Sequence, residues 1–327
     1  MSLYNKYRPK NFSDLIQNCP NSFKTNELNH HVFLFFGPPG TGKTSCTRLA
    51  MLSQFPDVCE KDLETIISGR HPDYIEVNCA VNNGVDDIRA LIADKINTLP
   101  INAQYKFIIF DEAHMLSNFS QNALLKTIEE PPKHVKFFFC TTEVNKILPA
   151  IRSRCQIIPF HKIKDQNLIQ ILQTVCKEEN LDYEKESLDL IISCADGSAR
   201  NALNLLGQCS LTLKDVNATA LILGTSPEKD FYNLTKYICD KDRLNSLKLL
   251  DSIFENSIDP GSVMNKYADY IAHLIVTRIT DSSKCEFEGK KLIAIGQCVT
   301  DILKDFKILQ NLKLISKLFL LKTIEKI

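Results

Sequence analysis

Eight consecutive residues, Gly37-Pro38-Pro39-Gly40-Thr41-Gly42-Lys43-Thr44, combine three glycines with a lysine and a closing threonine, directly after the apolar run Val32 to Phe36. Glycines at this density let successive backbone N–H groups turn toward one anion, Lys43 adds a mobile positive charge near terminal phosphates, and Thr44 places a hydroxyl where magnesium needs a ligand. The chemistry implied is binding of a nucleoside triphosphate, with Ser45 opening the helix that follows. A second group, Asp111-Glu112, closes the run Phe107-Ile108-Ile109-Phe110. Asp111 is expected to orient hydrated magnesium and Glu112 to polarise an attacking water, so loop and acid pair together predict hydrolysis rather than binding alone. Two acids can also merely cap a strand toward solvent, but the four apolar residues before them put the pair at a strand end, where such sheets meet their ligands.

A third strand end carries Cys140-Thr141-Thr142-Glu143, with Asn145 close behind. One of these polar groups is expected to sense the terminal phosphate. Thr142 is the preferred candidate, with the register open by one residue. Two arginines complete the set. Arg200, in Gly197-Ser-Ala-Arg200, opens a helix from which it can reach back to a bound phosphate. Arg154, in Ser153-Arg-Cys155, can instead serve a neighbouring subunit, where a guanidinium stabilises charge on the transferred phosphoryl group.

The elements that must position these residues are legible as alternating runs. Val32–Phe36, Tyr74–Asn78, Phe107–Asp111, Lys136–Thr141 and Gln156–Phe160 read as strands, and Ser45–Leu52 and Asp86–Ile96 as helices between them, which predicts a mostly parallel sheet covered by helices. From Lys164 to about Leu223 the pattern becomes short amphipathic helices, 167–179, 185–195 and 198–209, the form of a small helical domain. From about Ser226 to Ile327 helical periodicity continues, as in Leu244, Leu247, Leu250 and Ile253. The predicted boundaries are 1–162, 163–225 and 226–327.

The 327 residues carry 39 basic and 39 acidic side chains, so no global charge draws the chain to nucleic acid and any such contact must be local. No run is long enough to span a bilayer and no secretory leader is recognisable, which predicts a soluble, intracellular protein with no membrane partner. Twelve scattered cysteines, many in apolar runs, predict reduced and mostly buried thiols.

These motifs resemble those of the AAA+ sliding-clamp loader ATPases, above all the bacterial DNA polymerase III gamma/tau type. The resemblance runs through Leu3-Tyr-Asn-Lys-Tyr-Arg-Pro-Lys-Asn-Phe-Ser-Asp-Leu-Ile16, the phosphate loop, Phe110-Asp-Glu-Ala-His-Met-Leu116, Asn122-Ala-Leu-Leu-Lys-Thr-Ile-Glu-Glu-Pro-Pro132, Ser153-Arg-Cys155 and Gly197-Ser-Ala-Arg-Asn-Ala-Leu-Asn-Leu-Leu-Gly-Gln208. It implies an α/β fold: an AAA+ P-loop ATPase domain with a parallel sheet, a small helical lid domain and a C-terminal helical collar domain. It further implies that Tyr7, Arg8 and Pro9 lie near adenine and phosphates, that Lys43 and Thr44 form the phosphate and magnesium site, and that Asp111 and Glu112 support hydrolysis. Thr142 falls at the first sensor, Arg154 at the finger acting on a neighbour's ATP, and Arg200 at the second sensor. ATP and Mg2+ are the implied ligands. The implied partners are other loader subunits in a heteropentamer joined through the collar, a sliding clamp and primer-template DNA, in a cytoplasmic, nucleoid or replisome setting.

Some features depart from that pattern. Relatives commonly carry a four-cysteine zinc module before the strand near Tyr74; here the interval holds Cys59 without a C-x-x-C pair, so structural zinc is not expected. Gln17-Asn18 replaces a common Gly-Gln, and Arg152 precedes the finger segment. Arg89 is the best local donor for DNA phosphates, although Asp86 and Asp87 flank it, and Asn78 is a candidate to signal DNA binding to Glu112 through a hydrogen bond. Two other readings compete: a different DNA-remodelling AAA+ ATPase, or a structural subunit that binds ATP without useful turnover. An intact Lys43, Thr44, Asp111 and Glu112 favours an active motor over the latter.

Overall fold

Three runs, Val32–Phe36, Phe107–Phe110 and Phe137–Cys140, are apolar on consecutive residues, the pattern of parallel strands covered on both faces. The computed structural model describes residues 2–15, 28–55, 60–82, 84–223, 228–255, 259–281, 285–305 and 312–326. Strands β1 (Val32–Phe36), β2 (Tyr74–Asn78), β3 (Lys106–Asp111), β4 (Val135–Thr141) and β5 (Gln156–Pro159) form one sheet in the order β2-β3-β4-β1-β5. Every pairing in it is parallel. Burial alternates along the edge strand β2, whereas β4 is buried at all seven residues.

The sheet separates two apolar layers. On one face Phe33, Phe35, Phe107 and Phe138 pack with Leu49 and Ala50. Phe138 stacks between Phe33 (4.9 Å between centroids) and Phe107 (5.3 Å). On the other face Leu34, Ile108, Phe110, Phe137 and Phe139 pack with Ile88, Leu124 and Ile128. The lysines inside two strands are buried rather than solvated. Lys136 Nζ donates to the carbonyls of Leu28 and His30, and burial lowers its pKa to about 8. Lys106 Nζ donates to the carbonyls of Lys95 and Thr98.

The helices of this part are α1 (Leu3–Lys6), α2 (Lys43–Leu52), α3 (Glu60–Ser68), α4 (Val85–Leu91), α5 (Asn118–Glu129) and α6 (Pro149–Arg152). Helix α2 begins two residues before the predicted start, because Lys43 and Thr44 are already helical behind Gly42, whose φ of 98° makes the turn. The helix predicted over 86–96 is α4 followed by a π-helical turn, Ile92–Ile96. Ser117 caps α5 by accepting the backbone N–H of Ser120 at 3.1 Å.

Beyond β5 the chain is helical: α7 (Asp165–Glu178), α8 (Lys185–Ala195), α9 (Ala199–Cys209), α10 (Val216–Leu223), α11 (Glu228–Cys239), α12 (Arg243–Glu255), α13 (Pro260–Thr280), α14 (Gly289–Asp305) and α15 (Leu312–Lys326). Two compact units result: Met1–Val175 with Ala195–Gly207, and Cys176–Cys194 with Gln208–Ile327. The second unit has its own core, in which Phe231, Leu250, Phe254, Met264, Tyr267, Leu292 and Val299 meet. No described helix is long and apolar enough to cross a membrane. The ten cysteines among the described residues carry free thiols, eight of them buried.

Candidate active site

The loop after β1 is held at both ends. The backbone N–H of Gly37 donates to the Thr141 carbonyl at the end of β4, 3.2 Å away. At Gly40, φ is +71° and an added Cβ would lie 2.0 Å from Ser198 Oγ, so this position needs glycine both for its backbone and for space. The Ala199 N–H donates to the Gly40 carbonyl at 3.1 Å, which fixes the start of α9 beside the loop. Lys43 Nζ donates to the carbonyls of Gly37 and Pro38, each at 2.8 Å, and Thr41 Oγ1 donates to the Pro38 carbonyl. Burial lowers the Lys43 pKa, opposed by Cys140, Glu112 and Asp111.

Thr44 and Asp111, 67 residues apart, are brought together: Thr44 Oγ1 donates to Asp111 Oδ1 at 3.3 Å. The same oxygen accepts the Glu112 N–H at 3.2 Å. Burial raises the Asp111 pKa, and the Glu76 and Glu112 carboxylates raise it further. A hydroxyl beside a carboxylate, in a field of further carboxylates, is the hard-oxygen donor set that suits magnesium, so these residues fit that ion. Glu112 has a φ of 51°, in the left-handed region. Non-glycine residues rarely adopt it, and this turn takes Glu112 out of the strand direction.

His114 is a site residue to which sequence reasoning gave no role. Its Nδ1 lies 3.5 Å from Glu112 Oε2 and 3.2 Å from Thr141 Oγ1, and its Nε2 lies 3.7 Å from Glu143 Oε1. The imidazole therefore ties the acid turn to the end of β4. Thr141 is fully buried and its hydroxyl also accepts the Glu143 N–H at 3.0 Å, whereas Thr142, one residue beyond the strand, is half-buried. Asn145 lines a cleft of about 350 Å3 with His114, Gln121 and Leu148. Asn78 lies in register with Asp111, but its Oδ1 accepts the Ala80 N–H at 3.0 Å, which caps the turn after β2.

The arginines divide. Arg200 Nη2 donates to Tyr4 Oη at 2.9 Å, and its guanidinium lies 4.8 Å over the Tyr4 ring. Arg8 sits 5.4 Å over the same ring and donates to the same hydroxyl at 3.3 Å. Tyr4, unmarked by sequence reasoning, thus joins two residues that were marked. Tyr7 and Pro9 are half-buried in the same segment, with the Lys6 ammonium 5.6 Å over the Tyr7 ring. Arg154 is engaged elsewhere: Nη2 pairs with Glu129 Oε1 at 2.5 Å and Nη1 donates to the Ala150 carbonyl at 2.7 Å. Arg89 is exposed and pairs with Asp86 at 3.5 Å. Gln17, Asn18 and Cys59 lie outside the described residues.

Two family models match this chain: "DNA polymerase III, delta subunit" over residues 12–164, and "DNA polymerase III clamp loader subunit, ATPase lid domain" over residues 167–210. The DNA polymerase III gamma subunit of Buchnera aphidicola subsp. Baizongia pistaciae is 34% identical over 312 residues, covering 84% of each chain. The chain belongs to the DNA polymerase III gamma/tau family of clamp-loader subunits. A second gamma subunit, from Buchnera aphidicola subsp. Schizaphis graminum, is 31% identical over 84% of this chain and 80% of its own length. The tau subunit of Bacillus subtilis is 35% identical over 84% of this chain, which spans about half of tau, 52% of its length. Among solved structures, Thermotoga maritima RuvB covers 71% of this chain and 79% of its own with a TM-score of 0.48 at 19% identity. The Bacillus subtilis clamp loader delta protein covers 93% and 98% with a TM-score of 0.39 at 15% identity. Family membership therefore rests on the sequence matches, and it implies that the chain binds a nucleotide.

Proposed function

We propose that this gamma/tau-family chain is the ATP-hydrolysing motor subunit of a DNA polymerase clamp loader, which opens a ring-shaped sliding clamp, places it on primer-template DNA and releases it on hydrolysis. The observation that carries the reading is the convergence of Lys43, Thr44, Asp111 and Glu112 at one sheet edge, with Thr44 Oγ1 3.3 Å from Asp111 Oδ1. A subunit that only held the assembly together would have no use for this complete set.

In the proposed reaction the loop N–H groups and Lys43 bind the triphosphate, and Thr44 and Asp111 hold magnesium, which supplies neutralisation of phosphate charge. Lys43 exchanges its two carbonyl partners for phosphate oxygens. Glu112, steadied by His114, orients the attacking water and takes up its proton. Thr142 stands as the terminal-phosphate sensor, next to a buried Thr141 that anchors the turn, and Arg200 as the second sensor. Arg154, paired on the surface with Glu129, is the group presented to the ATP of a neighbouring subunit.

The assembly we propose is a heteropentamer in the cytoplasmic replisome, joined through the C-terminal helices. Duplex contacts would go to phosphates and shape, because a loader acts at many sequences. The test is ATP turnover by the chain combined with its partner subunits, with and without sliding clamp and primed DNA. Joint stimulation that disappears in Glu112→Gln is expected; turnover indifferent to both clamp and primed DNA would overturn the reading in favour of another AAA+ role.

A further inference from the structure

Tyr4 receives two guanidinium groups, one from its own segment and one from far along the sequence. Arg200 is 196 residues away, yet it both donates to the Tyr4 hydroxyl at 2.9 Å and lies 4.8 Å over the ring. Arg8 makes the same pair of contacts at 3.3 Å and 5.4 Å. Two cations on one neutral acceptor repel each other, and among the described residues neither has a carboxylate partner. Arg8 Nε is in addition buried without a hydrogen-bond acceptor. Such a pair is held together by the negative face of the ring and the hydroxyl lone pairs, and it gains most when an anion arrives.

The surroundings say which anion. Arg200 stands on α9, whose first residues close on the phosphate loop: Arg200 Cβ is 3.0 Å and Ser198 Oγ 2.0 Å from where a Cβ on Gly40 would be. Burial is the main cause of the lowered Lys43 pKa, and the Arg200 charge acts in the same direction. Leu3, beside Tyr4, reaches α9 as well, with its Cδ1 3.6 Å from the Cβ position of Gly207. The N-terminal segment is therefore clasped to α9 at two points, at Arg200 beside the loop and at Gly207 further along the helix.

We infer that Tyr4 is a positioning residue for the nucleotide: it holds Arg200 and Arg8 beside the phosphate loop so that both cations are in place for the bound triphosphate. This rests on the nucleotide-site reading above. Tyr4 acts through the arginines and not on the reacting atoms, so its removal should weaken ATP binding and leave the rate at saturating ATP much less affected.

The test is a double-mutant cycle on the full 327-residue chain, reading the Kd of a fluorescent ATP analogue for wild type, Tyr4→Ala, Tyr4→Phe, Arg200→Ala, Arg8→Ala and the combinations, with Lys43→Ala as control. Tyr4→Ala should weaken binding about tenfold and Tyr4→Phe, which keeps the ring, about threefold. Either change should have a smaller effect once Arg200 is already alanine, through Arg8 alone, and little further effect once Arg8 is alanine as well. Additive losses in the cycle, or an unchanged Kd in Tyr4→Ala, overturn the role of Tyr4 while leaving the nucleotide site standing. A wild type that does not bind the analogue, or one whose binding is indifferent to Lys43→Ala, overturns the nucleotide site itself and Tyr4 with it. Thermal melting controls for folding, and if Tyr4→Ala does not fold, Tyr4→Phe alone decides.

Discussion

The loop after β1 with the acids after β3, and the segment around Arg154, are built on different principles. Around Lys43, Thr44 and Asp111 the chain encloses its functional groups: Lys43 is buried, its ammonium donates to two loop carbonyls, and burial shifts the pKa values of both Lys43 and Asp111. At Arg154 the side chain is 36% exposed and its partner Glu129 46% exposed. The first region is organised to act on what it holds; the second is presented outward. On the proposed function, a site divided in this way would let hydrolysis depend on assembly, the enclosed half acting in one chain and the outward half serving the next.

Substitutions that break the enclosed half should have the largest effects. Glu112→Gln removes the group proposed to accept the proton from water while keeping its shape, and should lower ATP turnover by about 10²-fold or more, with the ATP Kd little changed. Steady-state turnover and equilibrium binding, measured on the same preparation, separate the two.

The same enclosure has a stability cost that can be read by pH. The folded-state pKa of Asp111 is raised, so its ionised form opposes folding: the penalty is complete above the folded value and vanishes as pH falls below the unfolded value. Asp111→Asn should therefore melt higher than wild type at neutral pH. The difference should shrink as pH falls into the ordinary carboxylate range. A gap that widens on acidification would mean that Asp111 is stabilised as an anion. ATP turnover by this variant should be lost even though it is the more stable protein.

Glu129→Gln tests the outward half gently. A half-exposed ion pair contributes under about 1 kcal/mol, so stability should hardly move. Turnover of the assembled loader should fall about threefold as Arg154 loses its fixed direction. An effect on the isolated chain's ATP affinity would instead place Glu129 in the enclosed half.

How much of this was legible beforehand follows from distance along the chain. The strands could be read because β1, β3 and β4 are apolar on consecutive residues, and the phosphate loop because its parts are adjacent. Asp111 was readable as a strand end, but its 3.3 Å contact with Thr44 needed the sheet order, which places β4 between β1 and β3. Tyr4 and His114 were missed because nothing local distinguishes them. Tyr4 has its partner on α9, and His114 has Thr141 across the sheet edge. The threonine register depended on where β4 stops: Thr141 is its last residue and turns inward, which leaves Thr142 just beyond it. The π-helical turn at Ile92–Ile96 keeps helical periodicity nearly intact, so the apolar spacing there ran on as one predicted helix.

The division of the site between two chains is tested most directly by Arg154→Ala in the loader assembled from its own partner subunits, with single-turnover ATP hydrolysis measured at saturating ATP and primed DNA. A finger supplied from a neighbour is worth about 10³-fold or more in rate, so hydrolysis should fall by that order while the isolated variant binds ATP as tightly as wild type. Hydrolysis at the wild-type rate in the assembled variant would contradict the account, and so would loss of ATP binding by the isolated variant.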